Sequence, residues 1–187
     1  MSGHSKWSSI KREKQAEDIK RGKVFTKLTR VISLAVRKGG SDPNLNPSLR
    51  AAIEKAHSYN MPKESIERAT RAASTAAELK ESIYEGYGPS GMAFFVKVLT
   101  DNRNRTLAEV RRIFDRYGGR LGEVGSVAYI FKRERENAEN PAFTVPVTDR
   151  ETARKVLTLA NTLDEHDDVQ EVFSNFDIPD ELVHQMT

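Results

Sequence analysis

Apolar residues recur at spacings of three and four through the first 80 residues, and often at spacings of two farther on. Between Gly22 and Lys38, Phe25, Leu28, Ile32 and Ala35 mark one stripe of an amphipathic helix. Gly39-Gly40 supplies its stop. Pro43 and Pro47 bracket a loop, and Pro47 suits the first turn of a second helix that carries Leu49, Ala52, Ile53 and Ala56 to about Asn60. Pro62 opens a third, with Ile66 and Ala69 inward, to about Ala73. Lys11 to Lys20 reads as a further short helix with few apolar anchors. Residues 1–80 are therefore predicted to form a helical domain.

The period changes near Ser82. Tyr84 to Gly91 reads as a Gly- and Tyr-rich turn, and Met92 to Thr100 as a strand. Thr106-x-x-Glu109 resembles a capping box ahead of Leu107, Val110, Phe114 and Tyr117, and Gly118-Gly119 closes that helix. Ser126 to Lys132, alternating through Val127, Tyr129 and Phe131, predicts a second strand, and residues 133–141 a charged connector. A strand over Ala142 to Val147, a helix over Asp149 to Leu163 behind the capping box Thr148-x-x-Glu151, and a strand over Val169 to Asn175 follow. Pro146 fits best on an edge strand. Two tandem βαβ units predict a ferredoxin-like βαββαβ sandwich over 81–187, so the fold class is α+β.

Composition narrows the function. The 187 residues include no Cys, which excludes disulfide scaffolds, thiolate metal sites and cysteine nucleophiles. No apolar run approaches the length of a bilayer, and the N-terminus lacks the apolar core of a secretion signal, so a cytoplasmic protein is expected. The net charge of +3 conceals an asymmetry. Residues 1–80 hold 17 Lys/Arg against 8 Asp/Glu, whereas residues 133–187 hold 5 against 13. A basic first third points to a polyanionic partner.

The candidate contacts are Lys6, Lys11, Arg12, Lys14, Lys20, Arg21, Lys23, Lys27, Arg30, Arg37 and Lys38. At 100° per residue, Lys23, Lys27, Arg30, Arg37 and Lys38 share about a third of the helix circumference, opposite Phe25, Leu28 and Ile32. Such a face suits phosphates, since each contact releases condensed counterions. It equally describes a solvated helix surface, and nothing in it announces base-specific readout. Trp7 among these charges can stack on a base or pin the N-terminal arm to the helical core. Arg103 and Arg105 lie at a strand-to-helix junction where Asp101, Asn102 and Asn104 suit caps and where backbone N–H groups favour a phosphate.

Other motifs carry little chemistry. Gly86-Tyr87-Gly88-Pro89-Ser90-Gly91 matches GxGxxG but precedes a strand instead of following one, so it reads as a turn. Asp164-Glu165-His166-Asp167-Asp168 lacks the ligand spacing of a calcium loop and reads as a solvated loop. The four His are scattered, and no acid, base and nucleophile assemble. A non-enzymatic protein without cofactor, metal or small-molecule substrate is expected, its partner a nucleic acid. An adaptor that works through its acidic C-terminal third is the rival from another class.

Several runs carry a resemblance. Gly3-His4-Ser5-Lys6-Trp7, Arg21-Gly22-Lys23-x-Phe25-x-Lys27, Asn60-Met61-Pro62-Lys63, Tyr84-Glu85-Gly86-Tyr87-Gly88-Pro89 and Leu99-Thr100-Asp101-Asn102-x-Asn104-Arg105-Thr106 are similar to the YebC/PmpR family, as are Gly118-Gly119-x-Leu121-Gly122 and the stretch from Val169 to Pro179. The mitochondrial branch of that family is the translational activator of cytochrome oxidase. The resemblance implies a helical N-terminal domain followed by α/β domains, no catalysis, and either DNA-binding transcriptional regulation or a ribosome-associated role through rRNA. It also implies a departure: family members insert a further small α/β domain where this chain has only the connector at 133–141. The chain starts at the family's own start, which suggests a bacterial-type cytoplasmic protein.

Overall fold

The structure, a computed structural model, describes residues 18–131 and 141–184. They fall into two compact units: residues 18–80 with Leu99–Asp101, and Glu81–Val98 with residues 102–184.

The helical unit comprises α1 (Asp18–Gly39), α2 (Pro47–Ser58) and α3 (Lys63–Ala72). Its core is Leu28, Ile32, Ala35, Leu49, Ala52, Ala56, Met61, Ile66 and Ala69, with Phe25 and Ile53 partly buried against it. Every position expected inward is therefore engaged. α1 runs through Gly22 without interruption, since one interior glycine costs only about 1 kcal/mol and does not end a helix alone. It stops where Gly40 takes a positive φ of 86° and returns its N–H to the Val36 carbonyl at 2.7 Å. Buried Asn46 caps α2 through Oδ1, which accepts from Leu49 N, while Nδ2 donates to the Ala35 and Gly40 carbonyls. The expected segment Lys11 to residue 17 lies outside the described residues.

The second unit is α+β. Its four-stranded sheet has the order β3-β1-β2-β5, from β1 (Lys80–Tyr87), β2 (Ala93–Thr100), β3 (Arg120–Leu121) and β5 (Val169–Ser174). β2 pairs antiparallel with β5, placing Val96 opposite Val172, and β1 pairs antiparallel with β3, placing Gly86 opposite Leu121. A separate parallel pair joins β4 (Val145–Pro146) to β6 (Phe176–Asp177), and a short helix α6 (Asp180–His184) follows. Between β2 and β3 runs α4 (Arg103–Arg116), and between β4 and β5 runs α5 (Arg150–Asp164). β2 is buried on both sides: Phe94, Val96 and Val98 meet Val110 and Phe114 of α4 and Val156, Leu159 and Leu163 of α5. Ala93 and Phe95 join a second cluster with Val127, Ile130, Phe131 and Phe173.

A four-stranded sheet and two long helices are thus present, but the strands of the sheet are not all the expected ones. Ser126 to Phe131 is a run of turns, not a strand. Ile130 N bonds Val127 O and Phe131 N bonds Ala128 O, so Val127, Ile130 and Phe131 turn inward together while Tyr129 stays 61% exposed. The vacant place in the sheet goes to residues 80–87, whose second half, from Tyr84, is expected as part of a turn running to Gly91. The Gly86–Gly91 motif is the end of β1 and the bend into β2, with Ser90 and Gly91 at positive φ. A Cβ at Gly86 would lie 2.8 Å from the Arg120 carbonyl oxygen, which explains a glycine inside a paired strand. The expected strand 142–147 contracts to two residues.

Both predicted capping boxes shift. Asn102, one of the residues expected to cap, and not Thr106, caps α4, with Oδ1 accepting from Arg105 N at 3.1 Å. Asp149, not Thr148, caps α5, accepting from Thr152 N at 2.8 Å. That backbone hydrogen bond holds the Asp149 carboxyl below its ordinary pKa. The stabilisation is full above the unfolded value of about 3.9 and fades as pH falls through the lowered native value. Asp149→Ala is therefore expected to lower Tm by roughly 2–4 °C at neutral pH, with the gap closing in acid; a thermal melt series in pH checks it.

The Ala142 N–H donates to the Ile130 carbonyl at 2.6 Å, which pins together the chain on either side of residues 132–140.

Candidate nucleic-acid interface

The helical unit carries the positive charge: residues 18–80 hold 13 Lys/Arg against 6 Asp/Glu. On α1 the stripe Leu28, Ile32 and Ala35 is buried, so the arc opposite it must face outward. Lys23, Lys27 and Arg30 on that arc are half-buried, and Arg37 and Lys38 in the last turn are exposed. Both cations of the last turn also oppose the negative end of the helix dipole.

Two of these guanidiniums hold the unit together. Arg30 Nη1 donates to the Leu99 carbonyl at 3.1 Å. Arg37 donates from Nε to the Ala73 carbonyl at 2.8 Å and from Nη2 to the Ala76 carbonyl, tying the segment after α3 to α1. Lys20 and Arg21 belong to the first turn of α1, with side chains beyond those described. Lys6, Trp7, Lys11, Arg12 and Lys14 lie outside the described residues.

Arg103 and Arg105 belong to the other unit and are engaged by its own groups. Arg103 Nη2 donates to the Glu81 carbonyl at 3.1 Å. Burial pushes the Tyr84 phenol above its usual pKa, and its hydroxyl donates to the Arg103 carbonyl at 3.0 Å. Arg105 Nη2 donates to Asp168 Oδ2 at 2.9 Å, and its Nε lies 4.0 Å from Glu109. Asp168 is only 2% exposed and also accepts from Thr106 Oγ1 at 2.6 Å, so the loop 164–168 is not wholly solvated as expected. The buried charge is compensated by that paired cation and hydroxyl.

Glu109, His166 and Asp168 bring one donor atom each within 4.8 Å of one another, a spacing a metal ion would tolerate. Hydrogen bonds already explain the cluster. His166 Nδ1 accepts from the Asp168 N–H at 3.1 Å, so Nε2 carries the hydrogen that faces Glu109 Oε2 at 2.9 Å. The ring's lone pair points at a backbone donor, and Arg105 lies against both carboxylates.

Sequence reasoning overlooked Arg68. On α3 it joins Ser65 and Met61 along one wall of a cleft of about 360 Å3 within the helical unit, faced by Phe25, Thr26, Thr29 and Arg30 of α1. The i, i+4, i+7 spacing of Met61, Ser65 and Arg68 was a helical signal, but one that names no partner.

Two family models match this arrangement: "TACO1/YebC protein N-terminal domain" over residues 5–76 and "TACO1/YebC second and third domain" over residues 79–137. The chain belongs to the TACO1/YebC family. Its TACO1/YebC relatives include proteins named "Probable transcriptional regulatory protein" from Halothermothrix orenii, 39% identical over 251 aligned positions covering 100% of this chain and 99% of the relative, and from Finegoldia magna, 54% identical over 137 positions covering 72% and 57%. The first alignment exceeds the chain's 187 residues by 64 positions, as the expected short form of the family requires. In structure the chain is similar to a conserved hypothetical protein, Aq1575, from Aquifex aeolicus, with a TM-score of 0.81 and 37% identity over 89% of this chain and 95% of that one.

Proposed function

We propose that this TACO1/YebC member is a non-enzymatic, DNA-binding transcriptional regulator of the cytoplasm that grips the phosphate backbone through the basic arc of α1. The observation that carries the reading is the one-sidedness of that helix: Lys23, Lys27, Arg30, Arg37 and Lys38 lie opposite the buried Leu28, Ile32 and Ala35. The relatives' names support the regulatory role. No described helix is long and apolar enough to cross a membrane. Lys6, Lys11, Arg12, Lys14, Lys20 and Arg21 extend the same charge toward the N-terminus. Arg103 and Arg105 play a structural part in this reading.

Affinity here comes from counterion release, so it must fall with salt. With about six phosphate contacts, log Kd for a labelled DNA duplex should rise against log salt concentration with a slope near 5. Fluorescence anisotropy across a salt series measures it. A flat dependence would overturn the phosphate mechanism, and displacement of the duplex by an equal concentration of rRNA fragment would move the target from DNA to RNA.

A further inference from the structure

We propose that the cleft between α1 and α3 receives one unstacked nucleotide of the strand that the basic arc of α1 holds. The inference rests on the nucleic-acid reading above and adds to it a specific site and a specific state of the ligand.

The size sets the first limit. At about 360 Å3 the cleft falls at the small end of ligand sites, enough for a base with its sugar and phosphate and far too little for a paired duplex. The lining sets the second. Phe25 contributes a half-buried aromatic ring and Met61 a thioether side chain that is only 4% exposed. A π-face and a soft, polarisable sulfur are the surfaces on which any base stacks without regard to sequence. Thr26, Thr29 and Ser65 add hydroxyls, and Arg30 and Arg68 add two guanidiniums suited to the phosphate. The Thr26 hydroxyl already donates to the Gly22 carbonyl at 3.0 Å, which leaves its oxygen as an acceptor. No acidic side chain is among the described residues that line the cleft.

This mixture discriminates between ligands. A bare inorganic anion would make no use of the Phe25 ring or of Met61, and an apolar ligand would make no use of the Arg68 guanidinium or the hydroxyls. A nucleotide uses both. Arg30 is also pre-oriented, since its Nη1 bond to the Leu99 carbonyl fixes the plane of its head.

Position on the helix supplies the third argument. At 100° per residue, Phe25, Thr26, Thr29 and Arg30 fill the flank of α1 between the buried stripe and the arc of Lys23 and Lys27. A backbone that follows those lysines therefore passes the mouth of the cleft within one helical turn. Bases inside a regular duplex are stacked and cannot enter, so the preferred target must carry an unpaired or extruded position.

The test compares four labelled hairpins: a fully paired RNA, the same RNA with one bulged adenosine, and the DNA equivalents of both. The intact chain should bind a bulged hairpin about tenfold more tightly than its paired counterpart, the worth of one stacked base. Arg68→Ala removes an exposed guanidinium, and Phe25→Leu removes the ring while keeping most of the apolar bulk against the helical core. Each should erase most of that preference and leave the paired Kd within about twofold. Lys23→Glu with Lys27→Glu should instead weaken all four probes alike. A preference confined to the RNA pair or to the DNA pair supports the cleft and identifies the sugar it accepts. Equal binding of bulged and paired probes, or a preference that survives both cleft variants, overturns the cleft while leaving backbone binding intact. Failure to bind any hairpin overturns both readings together.

Discussion

Glu85→Ala is expected to destabilise the sheet unit by about 4 kcal/mol, among the largest effects available to a single polar substitution. Glu85, near the end of β1, is only 4% exposed. Its carboxylate is filled by backbone donors. Oε1 accepts from Gly125 N at 2.7 Å, and Oε2 accepts from Val127 N at 2.7 Å and Ala128 N at 2.8 Å. Hydrogen bonds to an ionised acceptor are each worth about 1.5–3 kcal/mol, and truncation would leave buried donors without an acceptor. The same N–H groups belong to the turns that place Val127, Ile130 and Phe131 over the Phe95 and Phe173 side of the sheet, so their loss also loosens that cluster. Glu85→Gln keeps the shape but turns an NH2 toward backbone N–H groups, and should cost about 2 kcal/mol. Urea unfolding of the three proteins measures both. A change below about 1 kcal/mol for the alanine variant would mean that the turn segment organises itself without the carboxylate.

Reversing Lys23, Lys27 and Lys38 to Glu together should weaken duplex binding by about a hundredfold at moderate salt and lower the salt slope by about 3, one for each phosphate contact removed. Lys23, Lys27 and Lys38 are chosen because all three lie on the arc of α1 opposite its buried stripe, Lys38 exposed and Lys23 and Lys27 half-buried. Arg37 is left in place: its bonds to the Ala73 and Ala76 carbonyls would be broken along with any phosphate contact, confounding binding with folding. Thermal melts of the triple variant separate a loss of binding from a loss of folding. Anisotropy titrations at several salt concentrations check the prediction. Unchanged affinity would transfer the binding surface away from α1 and favour an adaptor acting through the acidic C-terminal third.

How far the chain could be read in advance depended on whether each element's partners were local. The three helices announce themselves because apolar stripes such as Leu28, Ile32 and Ala35 repeat with the helical period, and glycine closes α1 while proline opens α2 and α3. β2 stands out as a mostly apolar run because most of its residues on both faces are buried. β1 was hidden for the opposite reason. Its inward positions include Glu85, whose partners lie about forty residues later, and Gly86, whose missing side chain is explained by the Arg120 carbonyl and the Phe114 ring. Conversely, Val127, Tyr129 and Phe131 imitate a strand, and only the burial of Ile130 beside Phe131 betrays the helical-type spacing.

The candidate site divides in the same way. Its basic character is plain from composition, as is the face on which the lysines fall. Which cations are already committed to the fold is not, because Arg30, Arg37 and Arg105 meet carbonyls or carboxylates at least 36 residues distant. The cleft joins α1 to residues from α3 and the turn before it, so neither segment suggests it alone. The ligand's likeness to a nucleotide follows from the pooled chemistry of both walls.

The hydrogen bond from Ala142 to Ile130 holds the two described ends of the chain on either side of residues 132–140 together at one point. Such a stem decouples length from architecture: doubling the number of residues it carries adds only about 0.6 kcal/mol of closure entropy, and no strand has to shift to accept them. Evolution can therefore trade a brief charged bridge for an entire folded appendage there, and the basic helices and the sheet would both tolerate the exchange.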